Sequence, residues 1–311
     1  MTSSERDCAS LERFWGWRFF IVTLERKSLC KVNLLLNVLG KRKDGFHEVE
    51  TVMHPVNLFD ELGFTRRGSG IQLTCSNPDL PTDSNNLVHR AAGAFLQTVK
   101  IRDGVRIHLE KRIPLAAGLG GGSGNAAATL LGLNELFGWP LLFEQLNEIG
   151  ASLGSDIPFF LQTRPALATG HGEKIRPLSF FPALKNAAVL LIHPGFGVST
   201  AWAYQNLARF PAALNGKPGR AQKLISRLQT ADLEAASAEF YNSLEAPVLE
   251  KNPLLGLFQE FLRTNGAAAA LMSGSGSTTF ALTQNKTAAG QLAEGFKVKF
   301  GHSYWTVAVD L

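Results

Sequence analysis

The sequence predicts an α+β protein of two domains, and three features carry that prediction. The chain has 311 residues, 45% of them hydrophobic, enough for about two domains with cores of their own. Strand-like and helix-like periodicities are mixed along it, without the regular alternation of a βαβ array. After "LGSDIPFFLQ" (153–162) the texture changes to the turn-rich "TRPALATGHGEKIRPLSFFPALKN" before a new buried strand begins. The expected organisation is an extension over 1–20, a first domain over 21–165 and a second over 166–311, joined softly within 163–186.

The elements follow in order. "RFWGWRFFIV" (13–22) is apolar and aromatic, but Arg18 interrupts it and no small-residue cleavage site follows, so it reads as part of a loose extension and not as a secretion signal. "CKVNLLLNVLG" alternates as a strand, with Val32, Leu34, Leu36 and Val38 on one face and Lys31, Asn33, Leu35 and Asn37 on the other. Asp44-Gly45 in "KDGFH" supplies a tight turn. "IQLTC" (71–75) and "GVRIHLEKRI" (104–113) read as strands, and "NNLVHRAAGAFLQTVK" between them as a helix. "LLFEQLNEIGASLG" (141–154) reads as a helix closed by Gly154. In the second half come a strand, "AAVLLIHP" (187–194), helical segments over 199–264, a strand–loop–strand unit, "AAAALMSGSGSTTFALT", and the final pair "AAGQLAEGFKVKF" and "SYWTVAVDL".

Composition narrows the function classes. The net charge of +5 comes from scattered residues with no Lys/Arg block, a balance that suits an anionic small molecule as well as nucleic acid. Taken alone it reads as a solvated basic surface. Cys8, Cys30 and Cys75 are too few and too spread for a disulfide framework or a zinc site, so a reducing cytoplasm is expected. No apolar run reaches the ~18 residues of a membrane span. We expect a small-molecule enzyme, monomeric or weakly dimeric, with no nucleic-acid or membrane partner.

The segment with the most chemistry is "PLAAGLGGGSGNAAATLLGLNELFG" (114–138), where glycines run directly into helix formers. Gly118 to Gly124 can adopt angles closed to other residues and let a ligand approach the amides. Ser123 or Gly124 would then open a helix whose first N–H groups lack internal partners and attract an anion such as a polyphosphate. A Walker A loop is excluded because no Gly-Lys-Ser/Thr follows, and the dinucleotide pattern fails because Ser123 stands at its third glycine. On spacing alone a phosphate cradle and a flexible turn before a core helix read equally well.

The wider pattern decides between them. "PLAAGLGGGSGNAAATL" resembles the second motif of the GHMP kinases, P-x-x-x-G-L-G-S/G-S/G-S-x-A-A, and "KVNLLLNVLGKRKDGFHEVETV" and "ALMSGSGSTTFAL" resemble the first and third, in family order. "LGSDIPFFL" and "HPGFGVSTAWAY" resemble the branch of that family whose acceptor is a cytidine-diphosphate-linked polyol. The likeness runs over residues 29–280. It implies the two-domain GHMP kinase fold, with an N-terminal domain like ribosomal protein S5 domain 2, an α+β C-terminal domain, and the site in the cleft between them. It also implies ATP with Mg²⁺ as the phosphoryl source and a small-molecule alcohol as acceptor.

Roles come with the resemblance. It makes Asp156 the general base, which the residue's own setting leaves as readily a cap or turn aspartate. It places Lys31, otherwise a solvated strand lysine, beside the base and the reacting hydroxyl, and Asn33 on the same strand face able to orient that hydroxyl. Pro114, Ala116, Ala117, Gly118, Leu119, Gly120, Gly121, Gly122, Ser123 and Gly124 would form the ATP loop, with Ser123 the candidate metal ligand. Asn86 and Lys111 would border adenine, and Gly274, Ser275 and Gly276 would approach the phosphates. Phe46 and Tyr204 would sandwich cytosine while His47 reads its edge, with Thr200 on the helix face of Tyr204. From residues alone, Phe46 and His47 could equally be a core plug and a surface group.

Three departures stand out. Leu29-Cys30 replaces the frequent Pro-Ala, Phe46 replaces Tyr while keeping the stacking face, and Gly124 replaces a second Ser and so removes one possible hydroxyl ligand. The competing readings are a sister kinase for homoserine, mevalonate or a sugar, which has no use for a cytosine clamp, and an idle family fold serving as a ligand sensor or RNA-binding module.

Overall fold

A computed structural model describes residues 23–230 and 232–311; the extension over 1–20 lies outside them. The strands are β1 (Thr23–Lys41), β2 (His47–Arg66), β3 (Ile71–Cys75), β4 (Val105–Glu110), β5 (Ala166–Thr169), β6 (Lys174–Pro177), β7 (Ala188–His193), β8 (Tyr241–Asn242), β9 (Ala269–Met272), β10 (Thr279–Thr283) and β11 (Trp305–Asp310). The helices are α1 (Leu87–Val99), α2 (Gly121–Leu136), α3 (Phe143–Leu153), α4 (Ile157–Phe160), α5 (Thr200–Asn206), α6 (Pro211–Leu214), α7 (Arg220–Leu228), α8 (Leu233–Ser237), α9 (Glu245–Lys251), α10 (Pro253–Thr264) and α11 (Lys286–Phe300). The architecture is α+β, built on two sheets.

The first sheet runs β3-β4-β2-β1-β8, with β5 also paired to β2 and β6 to β5. Its spine is the long β1–β2 hairpin. Gly45, at φ +90, turns it, and the Asp44 carboxylate accepts from the Phe46 N–H at 3.1 Å, the expected Asx-type local bond. Helices α1 and α2 cover one face. Ala126, Ala127, Leu130 and Leu133 of α2 meet Ala91, Ala92 and Phe95 of α1 in one buried cluster with Phe64 and Ile107 of the sheet. Alanines at the contact let the helices approach closely, which the Ala-rich run after the glycines foreshadows.

The alternation expected for β1 breaks. The β1–β2 register shifts between Asn33 and Leu35, where Asn33 faces Met53 and Leu35 faces Val52. A bulge of this kind inserts an extra residue and swaps the faces beyond it. Cys30, Val32, Leu34 and Leu35 therefore share one core cluster, whereas Leu36 and Val38 belong to another. Leu36 joins Lys31 and Asn33 on the wall of the large cavity, and Leu35 does not. Asn37 points away from them, donating to Glu50 Oε1 at 2.8 Å.

The second sheet is antiparallel, in the order β11-β7-β10-β9. Every residue of β7 is buried, as its unbroken apolar run predicts. Leu255, Phe258 and Leu262 of α10 and Leu292 and Phe296 of α11 pack into the core beneath it. The division expected at 165/166 cuts across the hydrogen bonding, because β5 pairs with β2 through Thr51–Ala168, Val52–Leu167 and Met53–Ala166. The first sheet thus keeps the chain through Pro177, takes it back at β8, and leaves the span before Ala188 to lead into the second sheet. Gly154 does end α3, but with extended backbone (φ 176), not a left-handed cap.

Candidate active site

The glycine run forms a tight loop and then a helix. Gly118 and Gly120 take φ +75 and +71, the left-handed region that glycine enters at no steric cost. A Cβ on Gly118 would lie 2.0 Å from the Ser273 carbonyl oxygen, and one on Gly120 would lie 2.7 Å from the Phe160 ring. No side chain fits at either place. The helix α2 begins at Gly121, earlier than the expected Ser123 or Gly124, with Gly120 as its N-cap and no side chain capping it. The first intrahelical bond at this end is Gly124 N–H to Gly120 C=O, 2.8 Å. The amides of Gly121, Gly122 and Ser123 are left without helical acceptors, at the positive end of a 16-residue helix.

These residues line a cavity of about 680 Å³, a size usual for a small-molecule site. Its wall takes in Pro114, Ala116, Ala117, Gly118, Leu119, Gly120, Gly121, Gly122 and Ser123 from the loop, Asn86 and Lys111 beside them, and Gly274, Ser275, Thr200 and Tyr204 from the second half of the chain. Gly124 and Gly276 are absent from that wall. Position 124 packs against β1, where a Cβ would come within 2.8 Å of both the Leu29 carbonyl and the Ser28 hydroxyl. A serine there would point into the strand and not at a phosphate, so its loss costs the cavity no ligand.

Lys31 and Asp156 converge at the loop. The Lys31 ammonium, buried at 3% exposure, lies 4.0 Å from Asp156 Oδ2, whose side chain is 40% exposed. Lys31 also donates to Asn33 Oδ1 and to the Gly118 carbonyl at 2.9 Å. Asn33 is held in turn, donating to Thr51 Oγ1 at 2.8 Å, and Thr51 donates to the Leu35 carbonyl at 2.6 Å. Burial pushes the Lys31 ammonium below the ordinary lysine range, and the Asp156 carboxylate opposes that shift. Asp156 stands at the N-cap position of α4, yet its side chain makes no capping bond. The carboxylate is therefore free to face the cavity it lines.

Lys111 is fixed differently. Its ammonium donates to Asp60 Oδ2 and to the Ile113 carbonyl, each at 2.6 Å. The other oxygen of the buried Asp60 accepts from the Arg112 and Ile113 amides at 2.7 and 2.8 Å. A Cβ on Gly121 would come 3.2 Å from Lys111 Nζ, so this cation sits at the first turn of α2. Asn86 caps α1 by accepting from the Val88 N–H at 2.9 Å, and it lines the same end of the cavity.

At the opposite end the aromatic groups pair in an unexpected way. The Tyr204 ring packs on His47, centroids 4.9 Å apart, and Phe46 lies flat on His171 at 4.8 Å. Tyr204 and His171 line the cavity, whereas Phe46 and His47, expected to hold the acceptor's base, are not on its wall. Burial pushes the Tyr204 phenol up, with the Asp156 charge adding to the shift, and burial together with the Lys41 cation pushes His47 down. Ser199 caps α5, accepting from Trp202 N–H at 3.3 Å, and Thr200 Oγ1 lies 2.8 Å from Ser275 Oγ.

Several contributors were not among the residues expected from the sequence. Ser273 donates to the Gly118 carbonyl at 3.0 Å, and Asn242 holds the Met272 and Gly274 carbonyls at 2.8 Å each. Asn125 lines the cavity with a buried Oδ1 that has no partner among the described residues. Only its place directly after the glycine run could have flagged it. Three unpaired amides and a fixed cation form a donor set that suits a polyphosphate nucleotide.

Fold and site together define a small-molecule kinase, and the chain belongs to the GHMP kinases. The family described as GHMP kinases N terminal domain matches residues 86–164, and GHMP kinases C terminal matches 213–302. The chain is 42% identical to the 4-diphosphocytidyl-2-C-methyl-D-erythritol kinase of Synechococcus sp. (strain JA-3-3Ab), covering 84% of this chain and 85% of that one. With the kinase of the same name from Geobacter sulfurreducens it shares 39% identity over 92% of this chain and 98% of the relative. A crystal structure of 4-(cytidine 5'-diphospho)-2C-methyl-D-erythritol kinase superposes with a TM-score of 0.75 at 32% identity, covering 93% of this chain and 100% of that one. A homoserine kinase from Cytophaga hutchinsonii, at 20% identity and a TM-score of 0.71, shares the fold.

Proposed function

We propose that the chain phosphorylates the 2-hydroxyl of 4-diphosphocytidyl-2-C-methyl-D-erythritol with ATP, a step in the non-mevalonate supply of isoprenoid precursors. The carrying observation is the Lys31–Asp156 pair, 4.0 Å apart beside the open end of α2, and the relatives' shared name supports the choice of acceptor. Phosphoryl transfer asks for positioning, charge neutralisation and a destination for the alcohol proton. Asp156 accepts that proton as general base. Lys31 lies 4.0 Å from that carboxylate and, through Asn33, sets the direction from which the hydroxyl arrives. The amides of Gly121, Gly122 and Ser123, with Lys111 beside them, hold polyphosphate oxygens without reorganising.

Mg²⁺ fits as an ion carried in with the nucleotide. Among the described residues no group of three or more His, Cys, Asp or Glu is placed to hold a metal, and Mg²⁺ commonly takes few protein ligands beside phosphate and water. The Ser123 hydroxyl and the Asp156 carboxylate are the cavity oxygens suited to it, and the ion would neutralise phosphate charge. Among the described residues no helix is long and apolar enough to cross a membrane. The test is ATP-dependent turnover of the cytidine-linked acceptor by wild type and Asp156→Asn. A fall of about 10²–10⁴-fold in kcat is expected for loss of a general base. An Asp156→Asn enzyme that turns over at the wild-type rate removes the assignment.

A further inference from the structure

We propose that Thr51 is a positioning residue for phosphoryl transfer, acting through Asn33: its hydroxyl pins the amino edge of that amide so that one N–H faces the acceptor alcohol. The proposal rests on the function assigned above, in which Asn33 directs the alcohol. Thr51 stands diagonally across from Asn33, two residues along β2 from Met53, the partner of Asn33 in the ladder. Side chains so placed share a face and can meet. Thr51 is 5% exposed, and both residues line the cavity.

An asparagine does not hold its own amide still. The torsion that turns the amide plane is broad and nearly two-fold, and its two edges have opposite chemistry, one accepting and one donating. Here each edge has an anchor whose role is forced. The Lys31 ammonium can only donate, and it donates to Oδ1. The Thr51 hydroxyl spends its one hydrogen on the Leu35 carbonyl at 2.6 Å, so towards Asn33 it can only accept, and Nδ2 donates to it at 2.8 Å. Two anchors on opposite edges fix both the plane and the polarity of the amide.

The remaining hydrogen follows from that inventory. Nδ2 carries two, and Thr51 is its single partner among the described residues, which leaves one N–H for the cavity. An alcohol oxygen that accepts from this N–H keeps its own hydrogen for Asp156, whose carboxylate lies 4.0 Å from Lys31. As that oxygen bonds to the terminal phosphorus of ATP, its proton passes to Asp156 and ADP leaves with the electrons of the broken P–O bond. Without the Thr51 hydroxyl the amino edge loses its anchor, and the alcohol loses a fixed direction of approach. The amides of Gly121, Gly122 and Ser123 take no part in this chain of bonds, so ATP binding stays outside it.

Steady-state kinetics on the full chain test the idea, with acceptor and ATP varied separately and thermal melts run alongside. The proteins are wild type, Thr51→Val, Thr51→Ser, Asn33→Leu and the Thr51→Val/Asn33→Leu pair. Thr51→Val keeps the shape without the hydroxyl and should lower kcat about five- to thirtyfold, the span of a lost hydrogen bond that misplaces a reacting group. The ATP KM should stay within twofold of wild type. Thr51→Ser keeps the hydroxyl and should return kcat to within about threefold of wild type, which a purely structural role for the methyl group would not do. In the Asn33→Leu background, Thr51→Val should change kcat by less than twofold. Thr51→Ala, which adds no atoms, is held to the same outcomes if the melts show Thr51→Val misfolded. An unchanged kcat without the hydroxyl, Thr51→Ser as slow as Thr51→Val, or an equal fall with and without Asn33 overturns the proposal and leaves the acceptor assignment standing. A wild-type enzyme inert towards the cytidine-linked acceptor overturns both.

Discussion

The pairing of Lys31 with Asp156 sets a number that kinetics can check. Two unit charges 4 Å apart attract by about 1 kcal/mol in water and about 4 kcal/mol at the effective dielectric typical near a protein surface. Lys31 is 3% exposed and Asp156 40% exposed, so the pair sits between those limits, at about 2 kcal/mol. At 1.4 kcal/mol per tenfold, that is about 30-fold in rate. The perturbation is a double-mutant cycle of Lys31→Met and Asp156→Asn. Methionine keeps the stem volume and removes a charge that burial already disfavours, so the fold should survive, although Asn33 Oδ1 and the Gly118 carbonyl lose their donor. The assay is kcat for ATP-dependent phosphorylation, with thermal melts confirming that each variant is folded. The double variant should be about 30-fold faster than the product of the single losses predicts. A coupling below about 0.5 kcal/mol, the additivity expected of independent sites, would refute the claim that the two charges act as a unit.

Other outcomes follow from the same geometry. Gly118→Ala places a Cβ 2.0 Å from the Ser273 carbonyl at φ +75; urea melts should show a loss of about 3 kcal/mol or more, with ATP binding lost in any folded fraction. Gly124→Ser drives a Cβ to within 2.8 Å of the Leu29 carbonyl and should cost about 1–3 kcal/mol of stability, whereas the Mg²⁺ dependence of activity should not move. His54 is 2% exposed, donates from Nδ1 to the Pro55 carbonyl at 2.7 Å, and burial holds its pKa down to about 4 from 6.5. The unfolded chain therefore binds a proton that the folded one refuses, so stability present above pH 6.5 falls as pH drops towards 4. The loss is on the order of 3 kcal/mol, and comparing the melts of wild type and His54→Phe at pH 7.5 and 5 checks it. Equal acid sensitivity in the two proteins would count against that assignment.

What could be read in the sequence was what a motif or a strong period marks. The glycine loop was legible because few other segments put residues free of side chains against helix formers. Lys31 and Asp156 were legible only through family likeness, since a strand lysine and a pre-helix aspartate look ordinary by themselves. The faces of β1 were not. "LLL" at 34–36 carries no polar residue to show where the register slips, so the bulge after Asn33 left no trace in the pattern. The start of α2 was misplaced because glycine has low helix propensity, yet Gly121 and Gly122 sit in its first turn. Ser273, Asn242 and Thr51 serve the site through backbone carbonyls and a neighbouring amide, contacts that depend on tertiary placement alone. His171 was hidden for the same reason, since a turn histidine reveals its ring partner only once two hairpins meet.

The wall behind Gly118 carries a consequence for how the enzyme is made. The Ser273 hydroxyl bonds the Gly118 carbonyl, and the Thr278 N–H bonds the Ala117 carbonyl at 3.1 Å, so the glycine loop proposed to cradle phosphate is braced by residues that leave the ribosome some 150 positions later. A nascent chain that has completed its first sheet possesses the glycines but lacks the clamp that sets their angles. Nucleotide binding should therefore switch on late in synthesis, when β9 and β10 close, and a truncated product ending before Ser273 would be unable to sequester ATP in the cell.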